Sequence, residues 1–298
     1  MRTIQRSITA LFLASIMAWG SAQTLGLSVS TLNNPFFVTL RDGAQVAAEE
    51  AGLELIVVDA QDSVSKQISD IEDLVQRGVD VLIINATDSD AVVPAVLAAN
   101  AAGIPVVAVD RAASGGEVAY FVASDNIAGG ALAAEFMCEA LEATGLVVEL
   151  EGIPGVSATR ERGQGFNDYL AENCQGLEII ARQTANFNRA EGLSVMENIL
   201  VAQPEIDAVF AHNDEMALGA LQAIEALGVD ILVVGFDATD DAVEAVAACR
   251  LAASVAQLPE NLGREAVQAS LLALETDAPE STENIAVALE LVSNPDCF

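Results

Sequence analysis

Lysine is almost missing from this chain. Lys66 is the only one, and Lys and Arg together number 12 against 44 Asp and Glu, a formal net charge of −32 at pH 7. Phosphate backbones need basic patches, so the imbalance argues against nucleic acid as a partner, and against anionic lipid surfaces for the same reason. One reading of the acidity is solubility. The sharper one is adaptation to high salt, where screening removes the self-repulsion. Histidine is as scarce, with His212 alone. A Ser–His–Asp site would have to use it, and no G-x-S-x-G elbow, H-E-x-x-H helix or Cys/His ligand cluster accompanies it. No catalytic constellation is therefore expected, nor a metal or other cofactor. Aromatics are only 4% of the residues, and there is no Pro/Gly/Ser linker, low-complexity tract or block of like charge.

What is present is an apolar content of 52% over 298 residues, carried mainly by Ala, Val and Leu. That length suggests about two domains. Residues 1–22 read as an export signal: Arg2 and Arg6 give a positive start, Ile8 to Trp19 is an apolar run too short to span a bilayer comfortably, and Gly20-Ser21-Ala22 supplies small residues for cleavage. The mature chain then starts near Gln23 as a soluble, exported protein, and no cysteine follows the apolar run to take a lipid. The four cysteines, Cys138, Cys174, Cys249 and Cys297, show no C-x-x-C spacing. In an oxidising compartment an even count permits two disulfides in any of three pairings; four buried free thiols are the alternative.

Past the signal, strand-like and helical runs alternate. Strands are expected at Leu25–Ser30, Leu53–Asp59, Val79–Asn85 and Ile104–Asp110, with helices near Phe36–Ala51, Val64–Arg77 and Ser89–Ala102. Gly52, Gly78 and Gly103 fall just past the helices, where C-terminal caps belong. The strands are continuous apolar runs, as in a parallel sheet covered on both faces. The pattern then repeats with strands Gly145–Glu151, Leu177–Ala181, Ala208–Ala211 and Ile231–Phe236, and helices near Ala158–Glu172, Arg189–Ala202 and Glu215–Leu227. Asn85 and Asp110 are 25 residues apart, Asn213 and Asp237 24, and an Ala-rich helix, a glycine and a Val-rich strand lie between the members of each pair. Two lobes of one topology are the economical explanation, an α/β fold of two Rossmann-like parallel sheets.

Polar residues collect at the carboxyl ends of these strands, where open α/β sheets bind ligands. Asn34, Phe36 and Phe37 follow the first strand. Asn85, Asp110 and Arg111 close later strands of the first lobe, Asn213 and Asp237 strands of the second. Arg160 and Arg162 follow the second lobe's first strand, and Phe187 its next. Singly, these are ordinary caps, core rings or a local ion pair such as Asp110–Arg111. Jointly, they line one cleft if the lobes face each other. Amide, carboxylate and guanidinium groups with phenyl rings suit a sugar: the polar groups pair hydroxyls, which both donate and accept, and rings stack on the C–H face.

The segments Ser30-Thr-Leu-Asn-Asn-Pro-Phe-Phe37, Ile84-Asn-Ala-Thr-Asp-Ser-Asp90, Val109-Asp-Arg111, Ala123-Ser-Asp-Asn126, Arg160-Glu-Arg-Gly163, Asn213-Asp-Glu-Met-Ala-Leu-Gly-Ala220, Gly235-Phe-Asp237 and Ala256-Gln-Leu-Pro259 occur in that order. Together they closely resemble the periplasmic D-ribose-binding proteins, soluble receptors of sugar ABC transporters with the type I periplasmic binding protein fold, over nearly the whole mature chain. The resemblance implies sugar contacts at Asn34, Phe36, Phe37, Asn85, Asp110, Arg111, Arg162, Phe187, Asn213, Asp237 and Gln257. It implies three crossovers between lobes, near 124–126, 257–259 and 284–286. The first lobe is then 23–124 plus 258–285 and the second 125–257 plus 286–298. It implies a monomer that delivers D-ribose to a membrane permease, with a chemoreceptor as a further partner. Allose, galactose or a furanose signalling sugar is the rival ligand. A sugar-responsive transcription regulator is the rival within the fold, opposed by the charge and the export signal. His212 stands beside Asn213 where Gln is the familiar residue, and is expected to be a packed ring behind the site. The cysteines are not a general feature of that family. All four fall in the second lobe, where the pairs Cys138–Cys174 and Cys249–Cys297 are expected.

Overall fold

A computed structural model describes residues 23–276, 279 and 281–297. The expected export signal lies outside the described residues. Among them, no helix is long and apolar enough to cross a membrane.

The first lobe runs β1 (Thr24–Val29), α1 (Pro35–Ala51), β2 (Glu54–Asp59), α2 (Val64–Arg77), β3 (Val81–Ile84), α3 (Val93–Ala101), β4 (Val106–Val109) and β5 (Tyr120–Ser124). The chain then crosses to the second: α4 (Asn126–Ala140), β6 (Gly145–Glu151), α5 (Ser157–Asn173), β7 (Leu177–Thr184), α6 (Arg189–Ala202), β8 (Ala208–Ala211), α7 (Asp214–Leu227), β9 (Leu232–Asp237), α8 (Asp240–Ala247) and β10 (Ala253–Ala256). It returns as α9 (Pro259–Glu275) and β11 (Glu283–Val287), and crosses once more into β12 (Glu290–Ser293).

Each lobe holds a six-stranded sheet, ordered β11-β5-β4-β3-β1-β2 and β12-β10-β9-β8-β6-β7. All pairings are parallel except β12 on β10. In both sheets the strand order reverses next to the first strand, at β1/β3 and β6/β8. Such a switch point opens a crevice at the carboxyl strand ends. The strands are apolar throughout because helices cover both faces: Leu25, Leu27 and Val29 meet α1 and α9 on one face of the first sheet, while Leu82 and Ile84 meet α2 and α3 on the other. The second sheet is covered by α4 and α5 on one side and by α6 to α8 on the other. Each fully buried Leu, Ile or Val contributes about 1.5–3 kcal/mol.

Three helix pairs pack backbone on backbone through glycines. A Cβ at Gly263 of α9 would lie 2.0 Å from the Leu40 carbonyl oxygen of α1, one at Gly165 of α5 1.9 Å from that of Ile127 in α4, and one at Gly219 of α7 2.1 Å from that of Arg189 in α6. α9 is therefore an integral part of the first lobe although the chain reaches it from the second.

Several boundaries shift from the sequence reading, among them the end of β7, at Thr184 rather than Ala181, and two shifts bear on the lobes. α3 starts at Val93 rather than Ser89, because the Asp88 carboxylate accepts from the N–H groups of Asp90 and Ala91 and holds a turn there, and Pro94 favours a helix start. The chain leaves the first sheet after Val287 rather than after Ile285, since Ala286 and Val287 still pair with Ala123 and Ser124. β5, α4, α8, β10, α9 and the final pair β11 and β12 add to the elements given bounds above. Cys138–Cys174 joins the ends of α4 and α5, and Cys249–Cys297 ties the segment before β10 to the tail after β12.

Candidate functional site

The carboxyl ends of both sheets face each other across a closed cavity. Asn34, Phe36, Phe37, Asp110 and Arg111 line it from the first lobe, and Ala158, Arg162, Phe187, Asn213, Asp237 and Gln257 from the second. The space between these side chains is small, and most of the lining is buried. Ten of the eleven sugar contacts implied by the resemblance thus come together, whereas Arg160, grouped with them by its place after β6, is exposed and outside the lining. Asn85 lies one layer back, with both ends of its amide engaged by protein. Its Oδ1 accepts from Ser30 N–H at 3.1 Å and its Nδ2 donates to Asp110 Oδ2 at 2.9 Å. It orients the carboxylate and is not placed to reach a ligand.

Asn34 and Asn213 serve both as helix caps and as lining. Asn34 Oδ1 accepts from Phe36 N–H at 2.9 Å, opening α1, and Asn213 Oδ1 accepts from Met216 N–H at 3.0 Å, opening α7. Capping uses the amide oxygen. The nitrogen end is left toward the cavity, where Asn213 Nδ2 makes only a long contact of 3.4 Å to the Phe187 carbonyl.

The charged groups are buried in opposite-sign pairs that stop short of full contact. Arg111 Nε is 3.6 Å from Asp110 Oδ2, and Arg162 Nη1 is 3.6 Å from Asp237 Oδ1. Burial pushes both carboxyls above the ordinary carboxylate range, most strongly at Asp237, where Arg162 opposes the shift and the negative Asp214 and Asp110 add to it. Burial likewise lowers both guanidinium groups. Asp110 Oδ1 and Gln257 Oε1 are buried acceptors with no donor among the described residues. A buried acceptor left unpaired costs about 1–3 kcal/mol, so these atoms call for hydroxyl donors from a ligand.

The rings frame this polar set. Arg111 lies 4.8 Å from the Phe37 centroid and 5.1 Å from that of Phe187, between rings of opposite lobes. Arg162 sits 3.9 Å over Phe236, a ring outside the lining, and its Nε donates to Asn126 Oδ1 at 2.8 Å. Three lining residues, Asp110, Phe187 and Asp237, have left-handed or otherwise positive φ of 63°, 58° and 116°. Such backbone costs on the order of 1–3 kcal/mol per residue and concentrates at functional sites. No sequence signal gives it away, because none of the three is glycine.

Behind the second lobe's wall lie further polar groups, of which the sequence reading used only His212. Glu149 and His212 are fully buried, with His212 Nε2 and Glu149 Oε1 2.9 Å apart, and the His212 carbonyl accepts from Arg162 Nη1 at 2.6 Å. Burial raises the Glu149 carboxyl, but the hydrogen bonds and charges of His212 and Arg182 outweigh it and hold the group below its usual value. His212 is thus the packed ring expected of it. Asp214 is buried beneath Asp237 and accepts from Ser254 Oγ at 2.7 Å and Thr239 N–H at 2.7 Å. Glu149 did have a signal: it is the one charge inside the run Leu146–Leu150, and a doubly covered strand admits a charge only when it is paired. Ala158, the remaining lining residue, carries no chemical signal. Among the described residues, no cluster of His, Cys, Asp and Glu could hold a metal ion.

Residues 25–277 match the family model described as a periplasmic binding protein domain. The ribose import binding protein RbsB of Bacillus subtilis is 55% identical over 247 residues, covering 83% of this chain and 80% of that one. The protein of the same name from Haemophilus influenzae is 45% identical over 291 residues, covering 98% of both chains. Among solved structures, the Caulobacter myo-inositol binding protein bound to myo-inositol superposes with a TM-score of 0.87 at 33% identity, covering 93% of this chain and 95% of that one.

Proposed function

The chain belongs to the periplasmic binding protein domain family, and from that premise we propose that it is the D-ribose receptor of an ABC importer. It is a binding protein and not an enzyme, in keeping with relatives named ribose import binding proteins. The observation that carries the ligand is the polar set of the cavity: two buried Asp–Arg pairs at 3.6 Å and two acceptors without donors among the described residues. Sugar hydroxyls complete this set. A hydroxyl donates to Asp110 Oδ1 or Gln257 Oε1 and accepts from Arg111 or Arg162, while Phe37 and Phe187 cover the ring from opposite lobes. An analogue lacking one hydroxyl leaves a buried partner unpaired, which can cost a factor of about 10⁴.

Ribose binds one lobe of the open protein, and contacts from the other stabilise closure about the three crossovers. The closed monomer, exported to the periplasm, is the form that the permease reads, and a chemoreceptor would read the same form. Myo-inositol in the solved relative favours a second reading, another ring polyol in the same cleft. Calorimetric titration of refolded, sugar-free protein in high salt, with D-ribose, D-allose, D-galactose and L-arabinose in turn, separates the two. One-to-one binding of ribose alone supports the proposal. Silence toward ribose with binding of another sugar keeps the cleft and overturns the ligand.

A further inference from the structure

The lobes also meet outside the cavity. The loop after β3 carries Asp88 and Ser89; the loop after β6 carries Gly155, and Ser157 opens α5 in the opposite lobe. Ser89 N–H donates to the Gly155 carbonyl at 3.0 Å, and Ser157 N–H donates to Ser89 Oγ at 3.2 Å. The first lobe's Ala112 N–H donates to Ser157 Oγ at 3.0 Å. Ser89 and Ser157 are buried, and none of these four residues lines the cavity. The first-lobe side is a fixed seat. The Ser89 carbonyl accepts from Ser114 N–H at 2.9 Å and from Ser114 Oγ at 3.1 Å, and Asp88 Oδ1 accepts from the N–H groups of Asp90 and Ala91 at 3.0 and 2.8 Å.

Gly155 fits against that seat with nothing to spare. A Cβ there would lie 1.8 Å from Asp88 Oδ2, and the two N–H bonds to Oδ1 stop the carboxylate from swinging away. Gly155 is not among the positive-φ glycines, so its own backbone accepts a side chain. What excludes one is the other lobe.

All three hydrogen bonds exist only with the lobes shut; apart, each group is hydrated. The observed affinity is the closed form's affinity scaled by how readily the protein closes. We propose that this seam, centred on Ser157 and Gly155, is a latch that sets affinity without touching the ligand. It rests on the reading above, that the lobes close on a sugar. A closure term is common to all ligands, so a change in the latch multiplies every dissociation constant by the same factor, whereas a change in the cavity alters their ratios.

The test uses full-length Gly155→Ala and Ser157→Ala, titrated with D-ribose, D-allose and myo-inositol beside the wild type. Ser157→Ala leaves the Ala112 N–H unpaired only in the closed form, and weakens every measurable ligand by about three- to thirty-fold. Gly155→Ala weakens them at least as much, by one common factor. The thermal midpoint without sugar is unchanged, because the clash arises only on closing. In an Asp88→Ala background the Gly155→Ala penalty largely disappears. Unchanged affinity, a loss confined to one ligand, or an equal Gly155→Ala penalty with and without Asp88 overturns the latch. If the wild type ignores ribose and binds another of the three, the ribose assignment falls, and the latch is still judged with that ligand by the loss of affinity in both variants and its dependence on Asp88.

Discussion

Arg111 and Asp237 come from different lobes and act on one cavity, and each is buried with a single opposite charge held at 3.6 Å. Truncating either leaves the other member of its pair buried and uncompensated, besides removing ligand contacts. Asp237→Ala and Arg111→Ala are therefore expected to weaken sugar binding at least about a thousand-fold. Asn85→Ala, which releases the Asp110 carboxylate and the Ser30 N–H without removing a lining group, weakens it far less, and Glu142→Ala, exposed and remote, leaves it unchanged. Titration calorimetry reads all four; near-normal affinity in either of the first two breaks the site assignment. Asp214 gives a pH signature. Burial pushes its carboxyl up to about 7 against the donors Ser254 and Thr239, whereas in the unfolded chain it titrates near about 3.9. The native state thus holds this proton more tightly. The stability it contributes is full below about pH 4, drains away as pH rises toward about 7, and is absent above. Urea midpoints of the wild type minus those of Asp214→Asn should fall across that window and level off beyond it; a flat or rising difference refutes the assignment.

At the scale of elements, sequence and structure agree where a strand is a continuous apolar run ended by a polar residue. Such runs located β1, β3, β4, β6, β8 and β9, and the polar residues that end or follow β1, β4, β8 and β9 lie in the cavity lining. The reading weakens where the physics is not in the run itself. β11 is a half-exposed edge strand, Glu-Asn-Ile-Ala-Val, too polar to announce its length, so the last crossover falls further along than expected. The start of α3 depends on which way the Asp88 carboxylate turns, and residue type does not encode that. The same holds for Asn85: an amide at a strand end was legible, but its rotation toward Asp110 and away from the cavity was not. The disulfides staple elements of the second lobe only, α4 to α5 and the approach to β10 to the tail after β12. They close spans of 36 and 48 residues, for which loop entropy predicts about 3–4 kcal/mol each. Replacing Cys138 and Cys174 by serine should lower the denaturation free energy by about 2–4 kcal/mol, while sugar affinity stays within twofold because neither residue approaches the cavity. A stability loss below about 0.5 kcal/mol would show that the crosslink contributes nothing beyond packing.

For the whole molecule, the net charge of −32 sets the working conditions. The residual repulsion acts over a screening length of about 10 Å at 0.1 M salt and about 3 Å at 1 M. The thermal midpoint should rise between these concentrations by at least the ~2–4 °C that correspond to about 1 kcal/mol; a midpoint that falls with salt would mean that surface ion pairs, not repulsion, dominate. Neither lobe is a contiguous stretch of chain, since three crossovers stitch them together and a covalent bond anchors the last. Proteolytic nicking is therefore largely silent. A protease that cuts the final crossover, between Val287 and Glu290, releases nothing, because the severed tail is still tied through Cys297 to Cys249 and paired along β10. The nicked protein would migrate as one species under native conditions, and only reduction together with denaturation would reveal two fragments.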